Sequence, residues 1–263
     1  IMSMNTAPHT ELLNFAHRLA EASGEMLRAA AVLPPEVGLK ADASFVTNTD
    51  KAIELRLREL IQDTYPNHGI FGEEFGNVNI DAEFVWVLDP IDGTAAFVAG
   101  IPVYGTLIGL AREGRPYVGI IDHPITSDRW AGVAGLLAER NGSPIRTRPC
   151  RDLKSALGTC SNPDFMNAGE LERFTRLRKQ LQYVQYGGSC YAYGVLASGR
   201  TDLAIDSGLD AFDVIASIAI IEGAGGSASD WHGKNIALGW SGQIIAAGDD
   251  DCRKMALEVL GMA

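Results

Sequence analysis

Apolar positions recur at helical spacing in several segments of the chain. From Thr10 to about Ala31 they fall every three or four residues behind a threonine cap, which predicts an amphipathic helix that the prolines at 34 and 35 end. Further helices are predicted over residues 50–64, 169–182, 191–197, 212–222 and 249–260. The segment 212–222 is strongly apolar, although Asp213 stands at its beginning, where an acid on the buried side would need a partner.

Continuous apolar runs alternate with these helices. Residues 84–88 read Phe-Val-Trp-Val-Leu, which is typical of a strand buried on both faces. Turns rich in glycine and proline separate the other predicted strands, over residues 104–111, 117–122, 129–133, 201–206 and 243–247. The polar segment Lys40–Thr47 predicts a hairpin or a loop. This alternation favours an α/β or α+β layered fold over an all-helical or all-β fold.

Composition and charge restrict the possible partners. The 263 residues carry a formal charge of −11, which argues against nucleic acid or an anionic membrane surface as a main partner. No apolar run reaches the roughly 18 residues of a membrane span, and the first residues lack the pattern of a signal peptide. The four cysteines form no C-x-x-C pair, which is typical of a reduced chain. We therefore expect a cytoplasmic protein without nucleic-acid or membrane partners.

Common catalytic and cofactor motifs are missing from the sequence. There is no phosphate-binding G-x-x-x-x-G-K-[ST], no H-E-x-x-H and no G-x-S-x-G, and the five histidines are scattered. A G-x-G-x-x-A match over residues 223–228 follows a predicted helix instead of a strand, so it does not have the context of a dinucleotide site.

The strongest local signal comes directly after the apolar run 84–88. There Asp89 and Asp92 stand three residues apart, at the end of a strand that should border a crevice. The two carboxylates would repel each other unless a divalent cation with oxygen ligands neutralised them. Pro90 fixes the chain, so that the Ile91 carbonyl can point inward.

The residues that follow are typical of a helix start. Asp92-Gly93-Thr94 would present free backbone N–H groups to an anion, and phosphate suits such a position. Alone, the same residues also fit a helix cap with solvated acids. Glu73 and Glu74, which follow another short apolar segment, add to the acidic set.

In combination these motifs resemble the inositol monophosphatase superfamily of Mg²⁺-dependent phosphatases. The resemblance covers about residues 10–260, and Asp50 upstream fits it as well. It is carried by Gly72-Glu73-Glu74, by Trp86-Val87-Leu88-Asp89-Pro90-Ile91-Asp92-Gly93-Thr94, and by Phe212-Asp213-Val214 with Glu222-Gly223-Ala224-Gly225-Gly226.

The resemblance implies a layered αβαβα sandwich of the inositol monophosphatase and fructose-1,6-bisphosphatase type. It further implies an N-terminal α+β half over residues 10–147, a C-terminal α/β half over residues 148–263, and the site between them. The polar, turn-rich stretch 144–152 is the candidate boundary. A homodimer is also expected from the resemblance.

The resemblance also implies roles for individual residues. One Mg²⁺ ion would be held by Glu73, Asp89 and the Ile91 carbonyl, a second by Asp89, Asp92 and Asp213, and a third ion is an open possibility near Glu73. Glu73 and Thr94 would orient and deprotonate a water, with Asp50 fixing the Thr94 hydroxyl. The phosphate would lie against Asp92, Gly93, Thr94 and Ala95.

Within the superfamily, the chain resembles most the histidinol-phosphate phosphatase branch. The residues that carry this are Gly119–Pro124, Arg129-Trp130, Cys190–Tyr193 and the region Asp206–Asp213. Three positions depart from the branch: Ala95-Ala96 replaces its Lys-Ser, Ser189 replaces its Asp, and Asp206 replaces its Glu. Gly188, Ser189 and Asp206 are the expected leaving-group contacts, so these departures bear on the substrate.

The resemblance predicts a phosphoric monoester hydrolase acting on a small phosphorylated metabolite. Histidinol phosphate is the leading substrate, an inositol or other sugar monophosphate is the alternative, and a bisphosphate nucleotide comes third. A different class, a regulatory binding protein that keeps the phosphatase fold, is disfavoured because a pure binder would not need the full set of acidic ligands.

Overall fold

The computed structural model describes residues 8–40 and 45–261, and it contains both helices and mixed sheets. The helices are α1 (Pro8–Ala30), α2 (Asn48–Thr64), α3 (Thr94–Ala99), α4 (Ala168–Arg178), α5 (Ser189–Ala197), α6 (Ala211–Gly223) and α7 (Asp250–Gly261). Among the described residues, none of these helices has the length and apolar character needed to cross a lipid bilayer.

The strands form a small hairpin and two larger sheets. The hairpin pairs β1 (Val37–Leu39) with β2 (Phe45–Thr47). A seven-stranded sheet has the order β3 (Gly69–Gly72), β4 (Phe84–Asp92), β5 (Gly105–Arg112), β6 (Arg115–His123), β7 (Asp128–Val133), β8 (Leu137–Arg140) and β9 (Ser143–Pro144). A five-stranded sheet has the order β11 (Tyr183–Tyr186), β10 (Leu157–Cys160), β12 (Leu203–Asp210), β14 (Ser241–Ala247) and β13 (Ser227–Asp230).

The elements stack in five layers. Helices α1 and α2 cover one face of the seven-stranded sheet, and α5 and α6 lie between the two sheets. Helices α4 and α7 cover the outer face of the five-stranded sheet. The expected α/β fold is confirmed, and this order of layers is the expected αβαβα arrangement. The chain passes from one sheet to the other between β9 and β10, close to the predicted boundary, and the division into two halves stays a prediction.

A row of glycines sets how closely α6 approaches the seven-stranded sheet. Gly109, Gly119 and Gly132 are paired with one another across β5, β6 and β7. A Cβ atom at Gly119 would lie 2.0 Å from the carbonyl oxygen of Ala216, so α6 rests directly on the backbone of the sheet. This close packing fixes the distance between the sheet and Asp213, which stands in the first turn of α6.

Most predicted elements are present, with shifted ends. Helix α2 begins at Asn48, two residues before the predicted start, because Thr47 caps it. The predicted helix 169–182 ends at Arg178, and β11 follows it. Of the segment Lys40–Thr47, residues 41–44 lie outside the described part of the chain, and β2 forms its end. The sequence analysis did not predict several short strands, since runs of two to four residues carry little periodicity: β1, β3, β8, β9, β10, β11 and β13.

Candidate metal centre

Three carboxylates converge where β4 meets the beginning of α6. One ligand oxygen from each of Asp89, Asp92 and Asp213 lies within 4.8 Å of the others. Asp89 is 1% exposed, and its Oδ1 atom has no hydrogen-bond donor among the described residues. A buried carboxylate oxygen without a partner is costly in a low-dielectric interior. The geometry therefore fits a cation bound between the three side chains.

The electrostatics of the cluster support the same conclusion. Burial raises the pKa of Asp89 well above its usual value, and the charges of Glu73, Asp92 and Asp213 raise it further. The pKa values of Asp92 and Asp213 are raised as well, mainly by burial. Without a cation, the folded protein therefore disfavours the ionised form of this cluster.

A break in the sheet register points the β4 carboxylates into the centre. Strand β4 pairs regularly with β5 up to Asp89, and the register then shifts before Asp92. Pro90 falls in this irregular stretch, where its missing N–H costs no ladder hydrogen bond. Its carbonyl oxygen accepts the Thr106 hydroxyl at 2.9 Å, which ties the irregular segment to β5.

Backbone amides orient two of the carboxylates. The Cys190 amide, at the start of α5, donates to Asp92 Oδ2 at 2.6 Å. The Asp210 amide donates to Asp213 Oδ2 at 2.6 Å as part of the capping box of α6. In each case one oxygen of the carboxylate is held by the chain, which leaves the other free to act as a ligand.

Asp50 links the beginning of α2 to Thr94. Its Oδ2 atom accepts the Thr47 amide at 2.8 Å, which completes the capping box of α2. Its Oδ1 atom lies 3.4 Å from the Thr94 hydroxyl, whose single proton donates over the shorter distance, 2.9 Å, to the Ile91 carbonyl. Burial raises the pKa of Asp50 despite its hydrogen bonds with Thr47. Asp50 is thus the third residue of α2, behind the N-cap Thr47, and it also lies near the Thr94 hydroxyl.

The turn after β3 brings two further acids to the centre. Lys40 Nζ lies 2.5 Å from Glu73 Oε1 and 2.6 Å from Glu74 Oε1. Burial alone would lower the pKa of Lys40, but its hydrogen bonds with Glu73 and Glu74 raise it above its usual value. An ammonium group in contact with both acids indicates that this part of the centre attracts positive charge.

The expected phosphate and leaving-group residues border the carboxylate cluster. Gly93 has φ +80°, and a Cβ atom there would meet Ser189 Oγ at 2.9 Å, so α3 and α5 begin side by side. Gly188 and Ser189 are partly exposed, and Ala95 is exposed. Because the amide of Cys190, the residue after Ser189, donates to Asp92, the start of α5 lies next to the carboxylate cluster.

Asp206 lies deeper than its expected role suggests. It is 3% exposed, and it accepts the Ser161 amide at 2.6 Å and the Tyr193 hydroxyl at 2.8 Å. Burial raises its pKa to about 6, with a contribution from the charge of Asp92. Internal donors therefore already occupy this carboxylate.

Several residues of the branch-like motifs meet in one buried group behind Asp92. The rings of His123, Trp130 and Tyr191 contact one another edge to face. His123 Nε2 lies 3.3 Å from Cys190 Sγ, and burial lowers the pKa of His123 to about 4. The group is therefore neutral and supports the residue whose amide holds Asp92.

Sequence reasoning missed two charged residues of the centre. Lys40 was assigned only to a polar segment, and Glu54, whose contacts with the Glu73 turn are described below, was not singled out. Glu54 stands one helical turn after Asp50, a spacing that could have suggested the same face of α2. No sequence signal places Lys40 near Glu73, since 33 residues separate them.

Comparison with known proteins is consistent with this geometry. The model of the inositol monophosphatase family matches residues 9–260. The bifunctional phosphatase IMPL2 of Arabidopsis thaliana, described as chloroplastic, is 41% identical, over 95% of this chain and 76% of its own. The histidinol-phosphatase of Chlorobaculum parvum is 30% identical, over 89% and 91%. The solved inositol monophosphatase of Zymomonas mobilis superposes with a TM-score of 0.89 at 38% identity, over 97% of this chain and all of its own.

Proposed function

The chain belongs to the inositol monophosphatase family, and we propose that it is a Mg²⁺-dependent phosphomonoesterase whose substrate is histidinol phosphate. As a phosphatase of this family it is a phosphoric monoester hydrolase, and enzymes of the family depend on a metal ion, typically Mg²⁺. The observation that carries the proposal is the convergence of Asp89, Asp92 and Asp213, with a buried, unpartnered oxygen on Asp89.

The donor set fits Mg²⁺, which prefers carboxylate and carbonyl oxygens. Glu73, Asp89 and the Ile91 carbonyl would hold one ion, and Asp89, Asp92 and Asp213 a second; a third near Glu73 stays a prediction. When bound, such ions neutralise the phosphate, activate water and stabilise the leaving oxygen.

Side chains and backbone amides of the chain have the remaining roles in the reaction. Glu73 and Thr94 orient the attacking water and remove its proton, and Asp50 directs the Thr94 hydroxyl. The 3.4 Å separation of Asp50 and Thr94 suits a contact that tightens when substrate binds. The amides of Gly93, Thr94 and Ala95 hold the phosphate oxygens, and the phosphate lies against Asp92. Water attacks phosphorus in line as the bond to the leaving oxygen breaks, without a phosphoenzyme.

The leaving group would lie against Gly188, Ser189 and Asp206. Gly188 and Ser189 are partly exposed, and Ser189 lies beside Gly93. The buried carboxylate of Asp206 accepts hydrogen bonds from the Ser161 amide and the Tyr193 hydroxyl. It would therefore contact a leaving group only after releasing one of these two donors.

Two observations favour histidinol phosphate. The branch-like residues His123, Trp130, Tyr191 and Cys190 pack together and connect to Asp92, and a histidinol-phosphatase is among the relatives. An inositol monophosphate is the second candidate, supported by the likeness to the Zymomonas mobilis enzyme. The intact acidic set argues against a purely regulatory binder.

A phosphate-release assay tests the proposal. Histidinol phosphate, inositol 1-phosphate and a nucleoside 3′,5′-bisphosphate are compared at equal concentration, with Mg²⁺ and with EDTA. We expect the highest kcat/KM with histidinol phosphate and no release in EDTA. A preference for inositol 1-phosphate would replace the substrate proposal, and Mg²⁺-independent release would contradict the mechanism.

Two features outside the site remain part of the proposal. We propose a homodimer and a cytoplasmic location. Sedimentation of the purified protein measures the first, and imaging of a tagged chain in its own cell measures the second.

A further inference from the structure

A buried ion pair on α2 lies next to the turn that carries Glu73. The side chain of Glu54 is fully buried, and Arg58 Nε, one helical turn later, donates to its Oε1 atom at 2.8 Å. The Arg58 side chain is 9% exposed. Neither residue belongs to the carboxylate cluster or to the proposed phosphate contacts.

Among the described residues, the remaining hydrogen bonds of the pair go to that turn. The Glu74 amide donates to Glu54 Oε2 at 2.8 Å, and the Phe75 amide donates to Glu54 Oε1 at 3.2 Å. Arg58 Nη2 donates to the Phe75 carbonyl at 3.0 Å. A Cβ atom at Gly72 would lie 2.1 Å from Glu54 Oε1, so the turn is in direct contact with the carboxylate. The pair thus fixes the residues on both sides of Glu73.

Such a pair contributes little to stability by itself, because desolvation of two charges offsets much of their attraction. Its effect here is on the position of Glu73. Glu73 lies close enough to Asp89 for its charge to raise the Asp89 pKa, and repulsion from the cluster would push a loosely held Glu73 outward. The hydrogen bonds that Glu54 accepts from the turn, and the one that Arg58 donates to it, oppose this displacement.

We propose that Glu54 and Arg58 are positioning residues that hold Glu73 in the geometry needed to bind a metal ion. The inference rests on the proposed metal-dependent function and adds a determinant of metal affinity that lies outside the ligand set. Partners that orient metal ligands typically change affinity by about 10- to 100-fold when they are removed.

Mn²⁺ binding to the whole chain, measured by calorimetry without substrate, tests this directly. The variants are Glu54→Gln and the double variant Glu54→Gln with Arg58→Met, which removes the pair without leaving an unpaired buried charge. The matched control is Glu59→Gln, since Glu59 is an exposed acid on the same helix paired with Arg56. Thermal unfolding in EDTA reports fold stability, and the Mg²⁺ dependence of phosphate release gives a second readout.

We expect Glu54→Gln to raise the Kd for Mn²⁺ and the half-maximal Mg²⁺ concentration by about 10- to 100-fold. Activity at saturating Mg²⁺ should recover part of the loss seen at low Mg²⁺, since an added metal restores occupancy. The double variant should regain thermal stability but keep the weak metal binding, and Glu59→Gln should match the wild type.

Loss of stability with unchanged Mn²⁺ affinity in the double variant would show a merely structural role and overturn the inference. Recovery of both stability and affinity in the double variant would overturn it as well. If the wild type bound no Mn²⁺, or if Asp89→Asn bound it equally well, the proposed metal centre would fall, and the inference with it.

Discussion

Replacing Asp89 by asparagine should stabilise the metal-free protein while it removes activity. Two unit charges 4.8 Å apart interact by about 3.5 kcal/mol at an effective dielectric constant of 20. Asp89 forms such a pair with both Asp92 and Asp213. Proton uptake by the cluster relieves part of this repulsion, so we expect a gain of the order of 2 kcal/mol in the free energy of unfolding.

The gain should depend on pH. A carboxyl group whose pKa is raised by folding binds its proton more readily in the folded state, so stability falls as the pH rises from about 3.8 through the raised value. The free energy of unfolding of the wild type in EDTA should therefore fall across this pH range. That of Asp89→Asn should depend less on pH. The difference should be largest near neutral pH.

Differential scanning fluorimetry of both proteins, in EDTA and in excess Mg²⁺, measures these effects. A gain of the order of 2 kcal/mol corresponds to an increase in Tm of about 4–8 °C for a chain of this size. Mg²⁺ at about 100 times its Kd should stabilise the wild type by about 2.7 kcal/mol and the variant much less. Phosphate release by the variant should fall at least about 10³-fold, which corresponds to about 4 kcal/mol of lost transition-state stabilisation. A variant that is less stable in EDTA, or that retains activity, would refute the reasoning.

Three other changes probe the surroundings of the centre. Gly119→Ala should lower stability by about 1–3 kcal/mol, because the new methyl group meets the Ala216 carbonyl and lifts α6; urea unfolding measures this, and an unchanged midpoint would contradict the packing argument. Thr94→Ala should reduce kcat by about 10²- to 10⁴-fold with little change in Mn²⁺ affinity, and calorimetry alongside kinetics separates the two. Asp206→Asn should remove the loss of stability expected between pH 4 and 6, since the pKa of Asp206 is raised to about 6; unfolding at several pH values tests this, and identical profiles would argue against it.

Local sequence signals predicted most of the elements and singled out the acids that converge in the fold. The apolar run that ends at Asp89 predicts a buried strand, and β4 is that strand. The acid at the start of the apolar segment 212–222 predicts a buried, partnered carboxylate, and Asp213 meets Asp89 and Asp92. Such patterns can be read from the sequence because periodicity and paired charges act over a few residues.

The environment of those ligands depended on contacts between distant segments. Lys40 reaches Glu73 across 33 residues, and the Cys190 amide reaches Asp92 across 98. Asp206 was expected at the substrate, yet its buried carboxylate accepts donors from Ser161 and Tyr193, a pairing that no local pattern encodes.

The sequence by itself determined which acidic residues are candidates to bind a cation and where most helices and longer strands form, because both follow from residue type and spacing. The tertiary structure decided how those groups face one another. Glycines in β5, β6 and β7 let α6 rest on the sheet, and the buried pair on α2 holds the Glu73 turn. Such distances depend on close packing between layers, which is a property of the folded chain and not of any single segment.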